Sequence, residues 1–162
     1  MTKRLIIGCG YLGFRVAKLW QTLGHDVHLL TRSEQTAAMF EQQGFTAHVG
    51  DVTQLSTLGR FPAATEVLYA VGFDRSANYD VHAVYCQGLK NVIERLPQVP
   101  NRFIHISSTG VYGQVDGSLV DEETLADPLR PGGAAALAAE QALRQSSLST
   151  TAVSLRFGGI YG

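Results

Sequence analysis

The chain has 162 residues, 45% of them hydrophobic, with 13 Lys and Arg against 14 Asp and Glu and a formal net charge of -1. That length suits one domain with a real core, and the near-neutral balance of scattered charges excludes a bulk electrostatic case for nucleic acid or an anionic membrane as partner. The apolar run behind Lys3 and Arg4 is far shorter than a signal-peptide core, and no other stretch could span a bilayer, so a cytoplasmic location is expected by default.

The first element lies between Lys3 and Gly13. Leu5, Ile6 and Ile7 form an apolar run too short for a helix, and Gly8, Gly10 and Gly13 then give the spacing G-x-G-x-x-G. In a dinucleotide-binding loop the first glycine allows a tight turn, the second admits a pyrophosphate, and the third lets helix pack on strand. The helix opening at Tyr11 and Leu12 would aim its N–H groups and positive dipole end at that phosphate. Val16, Leu19, Trp20 and Leu23 recur at helical spacing, Gly24 stands where a C-cap glycine stands, and a second strand follows over residues 27–30. Strand, loop, helix and strand are the order that the motif requires. Cys9 sits inside the loop as a small space-filler; it and Cys86 have no metal-ligand or redox spacing, and no metal site is expected.

Further strands are predicted over residues 45–49, 67–71, 102–107 and 151–156, with helices over 34–43, 77–96 and 133–145. In the helix from Ala77 an apolar face runs through Val81, Val84, Tyr85, Val92, Ile93 and Leu96, and Pro97 and Pro100 end it. Alternating strands and helices predict an α/β fold: a doubly wound parallel sheet (Rossmann) in three layers, α/β/α, with strand order 3-2-1-4-5-6 and ligands at the carboxyl ends of the strands.

Functional residues are therefore sought just after strands. Thr31-Arg32-Ser33 follows the second strand where an NAD enzyme would place a carboxylate on the ribose. No carboxylate is present; an Arg with two hydroxyls suits a 2′-phosphate, which favours NADP over NAD, while a solvated surface Arg is the plainer alternative. After the third strand, Asp51 in Gly50-Asp51-Val52 can accept from an adenine amino group while the Val52 N–H donates to the ring; a local N-cap is the competing role for Asp51. The small residues of Ala70-Val71-Gly72 would let the backbone pass close to the cofactor ribose.

The fifth strand ends in Ser107-Ser108-Thr109-Gly110-Val111-Tyr112-Gly113. With the glycine loop, Gly50-Asp51-Val52, the run Leu137-Ala138-Ala139-Glu140-Gln141-Ala142-Leu143 and the closing Arg156-Phe157-Gly158-Gly159-Ile160-Tyr161-Gly162, the chain resembles the extended short-chain dehydrogenase/reductase superfamily, in its NAD-dependent epimerase/dehydratase branch. The resemblance covers nearly the whole chain. It implies a Ser that hydrogen-bonds the substrate oxygen, here Ser108 next to Ser107 at the cofactor, and a Tyr acid/base with a Lys four residues on. It also implies a small-molecule substrate such as a sugar nucleotide, and a homodimer paired through the helices from Ala77 and Gly133, with Val84, Leu89 or the alanine face as candidates.

The chain departs from this pattern in three respects. Aligned on Leu137 and Glu140, the Tyr position falls on Gly132 and the Lys position on Ala136, and the only lysines are Lys3, Lys18 and Lys90. The glycine loop is one residue shorter than the usual extended spacing. The smaller, partly C-terminal substrate region of the family is expected to be absent, so residues 1–162 read as the NAD(P)-binding domain of a shortened protein or of a fragment. Three explanations stay open: Tyr112 supplies the proton with Arg130 or Arg144 beside it, the acid/base comes from outside this chain, or the protein is a non-catalytic NAD(P)-binding sensor or scaffold. Asp121-Glu122-Glu123-Thr124 reads as a solvated loop, and His105, alternating with apolar neighbours, as a hydrogen-bonded core residue.

Overall fold

The computed structural model describes residues 2–74 and 79–159. Six parallel strands form one sheet in the order β3-β2-β1-β4-β5-β6. They are β1 (Lys3–Ile7), β2 (Asp26–Thr31), β3 (Thr46–Val49), β4 (Glu66–Tyr69), β5 (Arg102–Ser108) and β6 (Ala152–Phe157). The α-helices are α1 (Tyr11–Thr22), α2 (Glu34–Glu41), α3 (Gly88–Arg95) and α4 (Pro131–Arg144). The order reverses between β1 and β4, and that reversal opens a crevice at the carboxyl ends of the strands.

The strand period divides the core in two. Leu5 and Ile7 point to one face of the sheet and Ile6 to the other, because successive side chains alternate. On the first face Leu5, Ile7, Val67, Tyr69 and Phe103 pack with Leu89 and Val92 of α3 and Ala139 and Leu143 of α4. On the second face Ile6, Leu29 and Leu68 pack with Ala17 and Trp20 of α1 and with Phe40 and Phe45. Leu58 and Phe61, from the β3–β4 connection, close the first face over β2. The central strands are buried on both sides, hence their near-continuous apolar runs.

Three local features differ from the sequence expectation. The buried stripe of α1 is Gly13, Ala17 and Trp20, whereas Leu19 and Leu23 are more than half exposed. The helix expected over 77–96 has its first residues outside the described residues; where described, it passes through a π-turn, Ala83–Gln87, before α3. The helix expected over 34–43 ends at Glu41, whereas Gly24, with a φ of +79° just after the end of α1, stands as the sequence expects. Val84 and Leu89 both lie in the core, so neither is free to pair two copies of the chain.

Candidate functional site

A cleft of about 940 Å³ opens over the carboxyl ends of β1, β2, β4 and β5. Gly8, Gly10, Tyr11, Leu12, Arg32, Asp51, Val52, Ala70, Val71, Gly72, Ser107 and Ser108 all line it; Gly13 packs beneath.

The glycine loop is built by close contact between main chains. Gly8 has φ +88°, and a Cβ there would stand 2.6 Å from the Ala70 carbonyl carbon and 2.7 Å from the Val71 nitrogen. A Cβ on Gly13 would run into the Gly8 carbonyl oxygen. Gly10 is different: nothing lies within 4 Å of where its Cβ would be, so its bare backbone faces open space. Helix α1 starts at that point with no side-chain cap and no acidic residue in its first turn. Among the described residues its first N–H groups and dipole end thus have neither a side-chain cap nor a first-turn carboxylate, and they meet the cleft at Tyr11 and Leu12. The donor set and the open glycine fit a pyrophosphate. Arg15 stacks over the Tyr11 ring at 3.5 Å and donates to the Tyr11 carbonyl, adding positive charge beside that turn.

Around Arg32 and Asp51 the turns are tightly wired. Thr31 Oγ1 accepts from the Ser33 N–H, and Ser33 Oγ caps α2 by accepting from the Thr36 N–H, so both hydroxyl oxygens serve the local turn. Asp51 combines both roles considered for it. Its Oδ1 accepts from Thr53 N at 2.8 Å and Thr53 Oγ1 at 2.7 Å as a local cap, and its Oδ2 accepts from the Tyr79 hydroxyl at 2.7 Å. Burial raises the Asp51 pKa, but the bonds from Tyr79 and Thr53 and the charge of Arg32 outweigh it and hold the carboxyl below its ordinary value. Val52 is buried, and its carbonyl accepts from Asn91 Nδ2 at 2.8 Å. The π-turn brings Val84 and Tyr85 to the same wall.

At the β5 end the two serines diverge. Ser107 is buried and donates to Glu140 Oε1 at 2.6 Å. Ser108 is exposed; its Oγ accepts from the Gly110 N–H at 3.0 Å, which leaves its own proton uncommitted among the described residues. Tyr112 does not line this cleft. Its hydroxyl donates to the Asp121 carbonyl at 2.6 Å and accepts from Arg156 Nη1 at 2.8 Å, over a neighbouring concavity on the β6 side. Arg156, rather than Arg130 or Arg144, is thus the cation at Tyr112. Ala136 lines the cleft from α4, so the position matched to the family's Lys faces it with a methyl group. Gly132, matched to the Tyr, sits in the first turn of α4.

In the sequence Glu140 serves only as a marker of register. It is a buried hub that also accepts from Arg156 Nε at 3.0 Å and Nη2 at 2.8 Å. Burial pushes its carboxyl up, while the bonds from Arg156 and Ser107 pull it further down, below the usual value. His105 is buried with Nδ1 at 3.1 Å from Ser154 Oγ, and burial lowers its pKa to about 4. Burial raises the Cys9 thiol to about 12, which makes it an inert filler of the loop. Asp121 is exposed and caps a turn to Thr124. Among the described residues no group of three His, Cys, Asp or Glu could hold a metal, and no helix is long and apolar enough to cross a membrane.

Solved structures share this architecture. A protein from Methylobacillus flagellatus, provisionally described as an NAD-dependent epimerase/dehydratase, is 31% identical, with a TM-score of 0.75 over 99% of this chain and 55% of its own. The UDP-Glc/GlcNAc 4-epimerase of Campylobacter jejuni is 21% identical, with a TM-score of 0.78 over 96% of this chain and 53% of its own. A short-chain dehydrogenase/reductase superfamily protein of Agrobacterium tumefaciens, crystallised with bound NAD, is 22% identical, with a TM-score of 0.75 over 95% of this chain and 48% of its own. The chain thus spans about half the length of these relatives. No curated protein sequence matches it significantly. The glycine loop against Ala70, the uncapped helix above it and the serines at the end of β5 all lie within residues 5–162, which match the sequence model of the NAD dependent epimerase/dehydratase family, and the chain belongs to that family.

Proposed function

We propose that the cleft binds a nicotinamide dinucleotide and that residues 1–162 are the cofactor-binding part of an NAD(P)-dependent epimerase, dehydratase or oxidoreductase. Its substrate in this reading is a sugar nucleotide or another small hydroxyl or carbonyl compound, held in part by a region that this chain does not supply. One observation carries the reading: a single cleft joins the open Gly10 backbone and uncapped α1 to Arg32 and Asp51 at one end and Ser108 at the other.

In this reading the first turn of α1 at Tyr11 and Leu12 holds the pyrophosphate, and Gly8 and Gly13 keep the loop in shape. Asp51 and Val52 take the adenine edge, and Arg32 takes the adenosine ribose, with NADP preferred because Thr31-Arg32-Ser33 at the end of β2 contains no carboxylate. The turn Ala70-Val71-Gly72 leaves room for the second ribose. The bound dinucleotide supplies a reversible hydride acceptor. Ser108 donates a hydrogen bond from its hydroxyl to the reacting oxygen and so positions it, keeping its own proton, and Ser107, anchored on Glu140, fixes the end of β5 beside it. Tyr112 can serve as acid/base only after giving up the Asp121 carbonyl. A homodimer would use the outward residues of the π-turn, α3 and α4, such as Gln87, Lys90 and Gln141.

A second reading, a dinucleotide-binding sensor or scaffold without turnover, is favoured by Ala136 and Gly132, neither of which can move a proton. The first test is titration of the purified chain with NADPH and with NADH, read by nicotinamide fluorescence. Saturable binding supports the cleft assignment, and tighter binding of NADPH supports the role of Arg32. Incubation with sugar nucleotides and small carbonyls, read by nicotinamide absorbance, then separates the two readings, since any substrate-dependent change removes the binding-only one. If turnover is found, Ser108→Ala should cut it about a hundredfold or more while leaving cofactor affinity nearly unchanged; joint loss of both would contradict its assigned role.

A further inference from the structure

Arg32 and Asp51 carry opposite charges, follow the neighbouring strands β2 and β3, and line the same end of the cleft. Among the described residues they form no ion pair with each other. Tyr79 engages both. Its ring lies under the Arg32 guanidinium at 5.6 Å from the centroid, and its hydroxyl donates to Asp51 Oδ2 at 2.7 Å. Thr53 occupies Asp51 Oδ1 twice. Released from Tyr79, a guanidinium and a carboxylate that already feel each other's charge across one end of the cleft would fold together into a forked pair. Each would then neutralise the other toward any ligand.

We infer that Tyr79 is a specificity-determining residue of the cleft, which keeps Arg32 and Asp51 apart so that two separate charges face the adenosine half of the ligand. The cation is left for a 2′-phosphate and the carboxylate for the amino edge of the base. This inference rests on the dinucleotide reading given above, and it assigns Tyr79 a part that its position, 28 residues beyond Asp51, does not advertise. Ring and hydroxyl have separable parts. Tyr79→Phe keeps the ring under Arg32, whereas Tyr79→Leu removes both restraints.

The test uses the adenosine half alone, so that it does not depend on turnover. The purified chain and its variants are titrated calorimetrically with adenosine 2′,5′-bisphosphate and with 5′-AMP, after their urea midpoints have shown that they fold. The wild type should favour the bisphosphate by roughly tenfold or more, the scale of one added charge-assisted contact. Arg32→Gln should abolish that preference, Tyr79→Phe should retain most of it, and Tyr79→Leu should lose it. Adding Asp51→Asn to Tyr79→Leu should restore it, because Arg32 then has no carboxylate to fold onto. A preference that survives Tyr79→Leu, or that Asp51→Asn does not restore, overturns the role of Tyr79 while leaving the dinucleotide reading intact. A wild type without preference overturns it at Arg32. If neither nucleotide binds to any of the proteins, the dinucleotide reading falls and this inference falls with it.

Discussion

At the scale of single residues, the glycine loop separates what the fold needs from what a ligand needs. Gly8 is locked by a positive φ and by the Ala70 backbone, and Gly13 by the Gly8 carbonyl. An alanine at Gly8 meets both a left-handed backbone, worth about 1–2 kcal/mol, and a main-chain clash that side-chain motion cannot relieve. Gly10 has neither constraint. Gly8→Ala and Gly13→Ala should therefore each lower the stability measured by urea unfolding by about 2 kcal/mol or more. Gly10→Ala should leave the urea midpoint nearly unchanged and still weaken NADH or NADPH binding by roughly tenfold or more, since a methyl group there intrudes where the pyrophosphate must approach. A Gly10→Ala protein that binds as tightly as the wild type would remove the loop from the phosphate site.

Among the elements, α4 both braces β6 and forms one wall of the cleft. Glu140 ties Ser107 on β5 to Arg156 on β6, and it is almost fully buried. Removing one partner of such a pair leaves the other charge poorly compensated, at a cost of about 3–5 kcal/mol in well-buried cases. Arg156 retains some solvent access, so Glu140→Ala is expected toward the lower end, by urea unfolding. Glu140→Leu combined with Arg156→Met should cost less than the sum of the two single changes, the mark of direct coupling. The sequence could not disclose this hub. It shows Glu140 as one polar residue in an alanine-rich helix, 16 residues from its arginine, and only tertiary packing brings the two together. The strands were legible for the opposite reason: Leu5 to Ile7 is a continuous apolar run, and residues 27–30 are apolar but for His28, because both faces of the sheet are covered. Leu19 and Leu23 misled the same reasoning, since helical spacing fixes which residues share a face and not whether a partner covers it. The cleft residues after each strand could be read from topology, because ligands gather where strand order reverses. Tyr79 could not, because its contacts with Arg32 and Asp51 depend on how a long connection returns to the sheet.

For the whole molecule, buried and half-buried histidines couple the fold to pH. His28 and His48 stack at 5.3 Å between ring centroids, with His28 Nδ1 at 3.0 Å from His48 Nε2, an arrangement that needs one donor and one acceptor. Burial, and secondarily the charge of His28, lower the His48 pKa, and burial takes His105 to about 4. The ordinary histidine value is 6.5, so the unfolded chain binds protons in a range where these folded side chains refuse them. Their contribution is complete above 6.5 and is lost as pH falls, for His105 down to about 4. Glu140 is also depressed, but from 4.5, so its stabilising effect fades only below that value. Urea midpoints should accordingly be flat from pH 8 to 7 and fall from about pH 6.5 to pH 5, before any carboxylate is involved. The slope should not exceed about 1.4 kcal/mol per pH unit for each such histidine. His105→Asn lowers stability at neutral pH by disturbing the contact with Ser154, yet it should make the acid slope shallower, and His48→Gln should do the same independently. A slope unchanged in both variants would move the acid sensitivity away from these histidines. A slope removed by one variant alone would show which edge of the sheet first admits the proton, since His105 lies toward β6 and the stacked pair toward β3.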